Sequence, residues 1–212
     1  MMFCRVTWIA LLLLVAGAAD WPRFRGDNGG GSSNSTGLPL TWSSTENVAW
    51  KTPLPGFGSS SPIVVGDRAF VTCYSGYGLD RENPGEMDDL RLHVVCLASA
   101  DGHIVWDRRI RPRLPEGEFS GYMVNHGYAS ASPASDGKAV YAFFGRSVAW
   151  AFDLNGKLLW KVSLGDNTHE FGTGGSPILD GDLVVFNATV ECGALVALNK
   201  ATGKEVWRTE KL

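Results

Sequence analysis

The chain has 212 residues, 44% of them apolar and 19% charged, with a formal net charge of −3. That length and apolar content suffice for a sizeable core, and the charge balance excludes the basic footprint of a nucleic-acid or anionic-membrane binder. Eight Trp and 26 Gly point to many short strands joined by tight turns.

Residues 1–19 read as a signal peptide. Arg5 supplies the charge, Trp8 to Val15 an apolar run too short to span a bilayer, and Ala16 to Ala19 the small residues of a cleavage site before Asp20. The expectation is an exported protein, periplasmic or extracellular, with no transmembrane segment in the mature chain. No Cys follows the apolar run, which argues against a lipid anchor. Residues 20–41 read as an N-terminal arm and linker. Trp21-Pro22-Arg23-Phe24-Arg25-Gly26 is expected to lie extended on a closing blade, followed by a flexible Gly/Ser-rich stretch from Asp27 to Gly37. Cys73, Cys96 and Cys192 remain in the mature chain. The odd number leaves at least one thiol unpaired or bridged to another chain, and a Cys73–Cys96 bridge between neighbouring strands stays open beside a role as small buried residues.

From residue 42 onward the chain repeats. Trp50, Trp106, Trp160 and Trp207 recur about every fifty residues, and Ser61-Pro62, Ser132-Pro133 and Ser176-Pro177 interleave with them. Gly66, Gly137 and Gly181 each follow the Pro at one offset, and Gly102, Gly156 and Gly203 each precede a Trp at another. Short apolar or alternating runs lie between these turns. The unit around residue 140 predicts an inner strand opened by Pro133, then strands over Ala139 to Gly145, Ser147 to Asp153 and Lys157 to Val162. No segment after residue 19 has a helical period. Four antiparallel strands per unit at this spacing define an all-β propeller of four-stranded blades. Asn47 to Leu54 reads as an orphan fourth strand ahead of three full units. Because three blades and one strand cannot close a ring, the chain is expected to be an N-terminal fragment, or else one of several chains assembling a ring.

The segment Ala197-Leu-Asn199-Lys-Ala-Thr202-Gly203-Lys-Glu-Val-Trp207 resembles the tryptophan-docking motif of quinoprotein-like (PQQ-like) propellers, with Asn199 where Asp is usual. The copy ending at Trp160 keeps Asp153 but is a residue shorter, and the copy ending at Trp106 keeps only Gly102 and Trp106. The resemblance covers about Trp42 to the C-terminus and implies about seven or eight blades in complete members. On that reading Trp50, Trp106, Trp160 and Trp207 with Gly102, Gly156 and Gly203 cement blade to blade.

Function is less legible. In an up-and-down blade, the loop from second to third strand and the loop between blades emerge on one face. Ser75 to Leu90 and Arg111 to Tyr128 are the longest loops of those kinds, so that face is the expected binding surface, with Tyr77, Asp80, Glu82, Asp88, His126 and His169 as candidates. The acidic cluster Asp80, Glu82, Glu86, Asp88 and Asp89 lacks the regular oxygen alternation of a calcium loop, and the two His lack partners at metal spacing. No metal site is assigned.

Three readings stand side by side. One is a non-catalytic exported scaffold or binding module, partnered by another protein or by further blades of its own ring. It resembles the BamB-type propeller lipoprotein in repeat style. Another is a quinoprotein dehydrogenase oxidising alcohols or sugars with pyrroloquinoline quinone (PQQ) and calcium, a cofactor pair for which no ligand is identified here and which lacks the adjacent Cys pair the resemblance implies. The remaining one is a carbohydrate or small-ligand binder at the channel mouth, lined by Ser59 to Ser61, Ser130 to Ser132 and Gly174 to Ser176. A Ser-His-Asp hydrolase gains no support, because no nucleophile-elbow pattern accompanies the Ser and His present.

Overall fold

The computed structural model describes residues 20–169 and 172–210. Residues 1–19, expected to be a signal peptide, lie outside the described residues. Twelve strands form three four-stranded antiparallel meanders. The first holds β1 (Ile63–Val65), β2 (Arg68–Ser75), β3 (Arg91–Ala98) and β4 (Ile104–Ile110). The second holds β5 (Ala134–Ser135), β6 (Ala139–Phe144), β7 (Val148–Asp153) and β8 (Leu158–Ser163). The third holds β9 (Ile178–Asp180), β10 (Leu183–Ala188), β11 (Ala194–Asn199) and β12 (Glu205–Glu210). Three helical turns occur in loops among the described residues: a 3-10 turn (Met87–Asp89), α1 (Met123–His126) and α2 (Thr189–Cys192). They are too short for any periodicity to announce them.

The central strands of the first two blades are buried on both faces, those of the third on the face toward the second blade, and the period of two sorts their side chains. Phe70, Leu92, Val94, Cys96 and Trp106 face the second blade and meet Val140, Phe144 and Phe152. Tyr141, Phe143, Ala149, Ala151 and Trp160 face the third and meet Val184, Phe186, Val196 and Leu198. Val71, Cys73, Val95 and Leu97 face the other way and are covered in part by Trp50. Cys73 and Cys96 therefore lie on opposite faces of one sheet. Cys73 pairs across the strands with His93, and Cys96 with Phe70. A bridge between them is ruled out, and all three cysteines are free.

Each Trp meets the next Gly turn in the same way. The indole N–H of Trp50 donates to the Ser99 carbonyl at 2.9 Å, that of Trp106 to Leu154 at 2.9 Å, and that of Trp160 to Lys200 at 2.8 Å. Gly102, Gly156 and Gly203 are buried beneath the rings with φ of 75°, 79° and 69°. A Cβ at Gly156 would stand 2.8 Å from the Trp106 ring, and one at Gly203 2.7 Å from Trp160. Only Gly supplies both the left-handed backbone and the space. Asn199 does the turn-capping work of Asp153: its Oδ1 accepts the N–H groups of Ala201 and Thr202, as Asp153 Oδ1 accepts those of Asn155 and Lys157. Opposite each strand-borne Trp sits a small residue, Cys96, Ala151 or Ala197, and the ladder shifts register immediately after it.

The segment Asn47 to Leu54 corrects one expectation. It docks Trp50, and Thr52 Oγ1 donates to the Gly102 carbonyl at 2.5 Å, but it forms no ladder strand. The other three strands of a blade are what would supply its ladder partners. Among the described residues, no helix is long and apolar enough to cross a membrane.

Candidate functional site

The up-and-down path puts the Gly turns on one face and the long loops on the other. On the loop face, residues 75–90 and 111–128 close over each other. Tyr77 stacks near Phe119 and Tyr128, with ring centroids 6.5 and 5.8 Å away, and Tyr74 meets Tyr128 edge-on at 5.3 Å. Three hydrogen bonds lock the cluster: Phe119 N–H to the Tyr77 hydroxyl at 3.2 Å, Tyr128 to the Gly117 carbonyl at 2.7 Å, and Tyr74 to the Gly78 carbonyl at 2.9 Å. Burial raises the phenol pKa values of Tyr74 and Tyr128, so both hydroxyls stay as donors. Tyr77 is buried, so it supports the surface from within rather than presenting itself.

Asp80, Glu82 and Asp88 are exposed on the rim. Asp80 Oδ1 accepts the N–H of Glu82 at 2.8 Å, and Asp88 lies 3.9 Å from Arg111. His126 ends α1, with Nδ1 2.8 Å from the Ser130 hydroxyl. The adjoining loop comes close beside it: Gly172 lies next to Met123 and His126, and donates its N–H to the carbonyl of exposed His169 at 2.8 Å. Among the described residues, no three His, Cys, Asp or Glu side chains converge as a metal cluster.

Two carboxyls, half-buried Glu116 and buried Glu191, brace this face. Glu116 accepts the backbone N–H of Arg146 from the β6–β7 turn. Desolvation pushes its pKa up to about 7, against the opposing pull of that N–H and the Arg146 charge. Glu191, 3% exposed in α2, takes the Thr173 hydroxyl at 2.8 Å, and burial raises it as well.

One constellation is invisible in the sequence. Ser75 on β2, His93 on β3 and Asp107 on β4 share a face of the first blade. His93 Nδ1 lies 2.9 and 3.0 Å from the two Asp107 oxygens, and Nε2 lies 2.9 Å from Ser75 Oγ. The carboxylate takes the Nδ1 proton, which leaves Nε2 to accept from the serine. The order matches a hydrolase relay, yet the ring is 3% exposed. The segment carrying Gly56 runs directly over Ser75. Its evident work is to satisfy a buried imidazole within a sheet face.

The N-terminal arm departs furthest from expectation. It lies on the inner edges of the first two blades at the axis, not on a closing blade. Trp21 bridges Val64 of β1 in antiparallel fashion, Asp20 accepts the Gly66 N–H at 2.8 Å, and Ser135 N–H of β5 donates to the Pro22 carbonyl at 2.8 Å. Residues 23–31 fold into hydrogen-bonded turns, with Gly26 N–H to Arg23, Gly29 N–H to Gly26 and Gly31 N–H to Arg25. Gly26 is buried under the Trp21 ring, 2.7 Å from where its Cβ would be. The turns take in the first part of the expected linker, and residues 32–37 beyond them are exposed and without regular structure.

Beneath the arm, the Ser-Pro pairs run a relay around the axis. Ser61 N–H donates to Ser132 Oγ at 2.8 Å, and Ser132 N–H to Ser176 Oγ at 3.0 Å. Each blade thereby pins the next at its narrow end. A cavity of about 510 Å³ opens there between the arm and these inner strand starts.

Sheets of this shape, Trp-on-Gly docking and a residue-lined axis define a PQQ-like propeller. The family model described as outer membrane protein assembly factor BamB matches residues 89–211, more than half of the sequence, and the chain belongs to that family. A curated relative, polyvinylalcohol dehydrogenase of Pseudomonas sp, is 28% identical over 179 residues, covering 76% of this chain and 24% of its own length. Quinohemoprotein alcohol dehydrogenase from Comamonas testosteroni superposes with a TM-score of 0.58 at 16% identity, over 90% of this chain and 27% of that one. BamB from Moraxella catarrhalis gives a TM-score of 0.49 at 17% identity, over 76% of this chain and 39% of that one. The chain thus spans about a quarter of the curated relative it matches.

Proposed function

We propose that the chain is a non-catalytic binding module of an exported propeller, meeting a protein partner on its loop face. The carrying observation is the locked pair of loops, 75–90 and 111–128, whose aromatic interior holds a charged rim in place. A preordered surface binds with little entropy lost to loop ordering. The order of charge, apolar run and small residues over 1–19 supports export. The test replaces Asp80, Glu82 and Asp88 together by Ser and measures affinity for the partner recovered by crosslinking in cell-envelope extract. At least about a tenfold loss is expected for a charged patch that steers and orients a partner. Unchanged affinity in a variant of unchanged melting temperature sinks the proposal.

A second reading, alcohol oxidation with PQQ and calcium, draws on the 28% identity to polyvinylalcohol dehydrogenase. The described residues do not form such a site by themselves: Glu191 is a lone buried carboxyl bonded to Thr173, and Cys73, Cys96 and Cys192 stand apart. Titration with PQQ in calcium, followed by quinone absorbance and dye-linked alcohol oxidation, separates the two readings.

A further inference from the structure

We propose that the axial cavity binds a small oxyanion, the carboxylate or phosphate of a low-molecular-weight solute. The site is separate from the loop platform, and its test is independent of the partner reading. Arg23 and Arg25 of the arm line the cavity on one side, and Ser130, Ser132, Gly174 and Ser176 of the blades on the other, with no carboxylate side chain among the lining residues. In a chain of net charge −3, this is a local concentration of positive charge beside hydroxyl donors.

Ser130 is bonded to His126, and the hydroxyls of Ser132 and Ser176 are poised to donate. Ser132 and Ser176 each accept a backbone N–H on Oγ from the preceding blade. Their own O–H protons are thus turned away from the strand relay. Ser132 is 2% exposed, so its O–H has little water to meet and its best acceptor is a solute in the cavity. The guanidinium groups are held rather than spent. Arg23 Nε donates to the Gly26 carbonyl at 3.2 Å and its Nη2 to that of Asp27; Arg25 Nη2 donates to Gly30 at 3.3 Å. Each guanidinium has five N–H donors, so further donors remain for an anion. The volume of about 510 Å³ admits a metabolite-sized molecule. The blades alone do not form the site, because both charges come from the arm.

The experiment titrates the full chain at low ionic strength by calorimetry with inorganic phosphate, citrate and, as a neutral control, glycerol. Phosphate or citrate should bind with Kd at or below about 1 mM, and glycerol should not. Tighter citrate binding assigns the carboxylate class, and tighter phosphate binding the phosphate class. Arg25→Gln removes one exposed charge and should weaken binding by about fivefold or more. Gly174→Glu has open space around its Cβ and no positive φ, so it folds normally while placing a carboxylate in the cavity, and it should weaken binding by about twentyfold or more. Circular dichroism melting of both variants verifies the fold. Absence of binding by both anions up to about 10 mM, or binding indifferent to both substitutions, overturns the proposal, the latter marking an adventitious ion only.

Discussion

Trp160 and Trp207 occupy the same place in their blades, follow the same Gly turn and have nearly the same neighbours in sequence, yet one is 8% exposed and the other 39%. Trp160 has the Gly203 turn beneath it and the Lys200 carbonyl as acceptor. Trp207 lies on the outer face of the third blade, in a strand whose Val206 is exposed as well. The motif therefore prepares a docking surface but does not bury itself. Burial is conferred by the neighbouring blade, so each interface adds its own term to the stability of the single blades.

The largest effect that breaks the comparison is at the buried member. Trp160→Ala removes a large ring from a closed interface and should cost about 3–5 kcal/mol. Trp207→Ala should cost under about 1 kcal/mol, because Trp207 is 39% exposed. Equal losses in urea unfolding would mean that the outer face is closed in solution.

The turn side of the docking pair comes next. Gly156→Ala forces a Cβ against the Trp106 ring and holds a positive φ, and should cost about 2–3 kcal/mol. Gly181→Ala, also at positive φ but with nothing within 4 Å of its Cβ, isolates the backbone part and should cost about 1 kcal/mol. A gap between the two near zero would leave ring contact without an energetic role.

A third comparison sets the loop face against the turn face. The carboxyl of Glu116 titrates higher folded than unfolded, so its neutral form favours the native state. That contribution is complete below its usual value of 4.5 and is lost as pH rises through about 7. Glu116→Gln keeps the acceptor for Arg146 N–H without the charge. Its melting temperature should match wild type near pH 4.5 and exceed it at pH 8, by about 1–2 kcal/mol in stability once residual solvent screening is allowed for. Parallel pH profiles would remove Glu116 as the cause.

The last expected effect is at the relay. Asp107→Asn weakens the hold on His93 and should cost about 1–2 kcal/mol, with the serine hydroxyl remaining unreactive to a fluorophosphonate probe. Labelling of Ser75 would give the relay a chemical role that its burial argues against.

The four strands of the second blade were legible because turn residues and apolar runs mark them within a residue or two. β5 began at Ala134 and β8 at Leu158, as the spacing implied. The loop face was legible from chain direction alone, since up-and-down strands alternate the ends at which loops emerge. The inward turn of Tyr77 was not, because an aromatic in a long loop reads the same whether it packs down or stands out. Ser75, His93 and Asp107 were unreadable as a group, because their register is set across the long loop between β2 and β3.

By itself the sequence determined the blade: local turn chemistry and a period of two act over neighbouring residues and need no distant partner. It also determined the docking pairs, because a Trp and a buried Gly turn recur at a fixed spacing. Tertiary structure alone decided which faces of those pairs are covered, which side of the sheet each cysteine takes, and where the arm lies. These depend on contacts between residues far apart in the chain. Arg23 and Arg25 come to face Ser132 and Ser176 only because Trp21 seats the arm on β1.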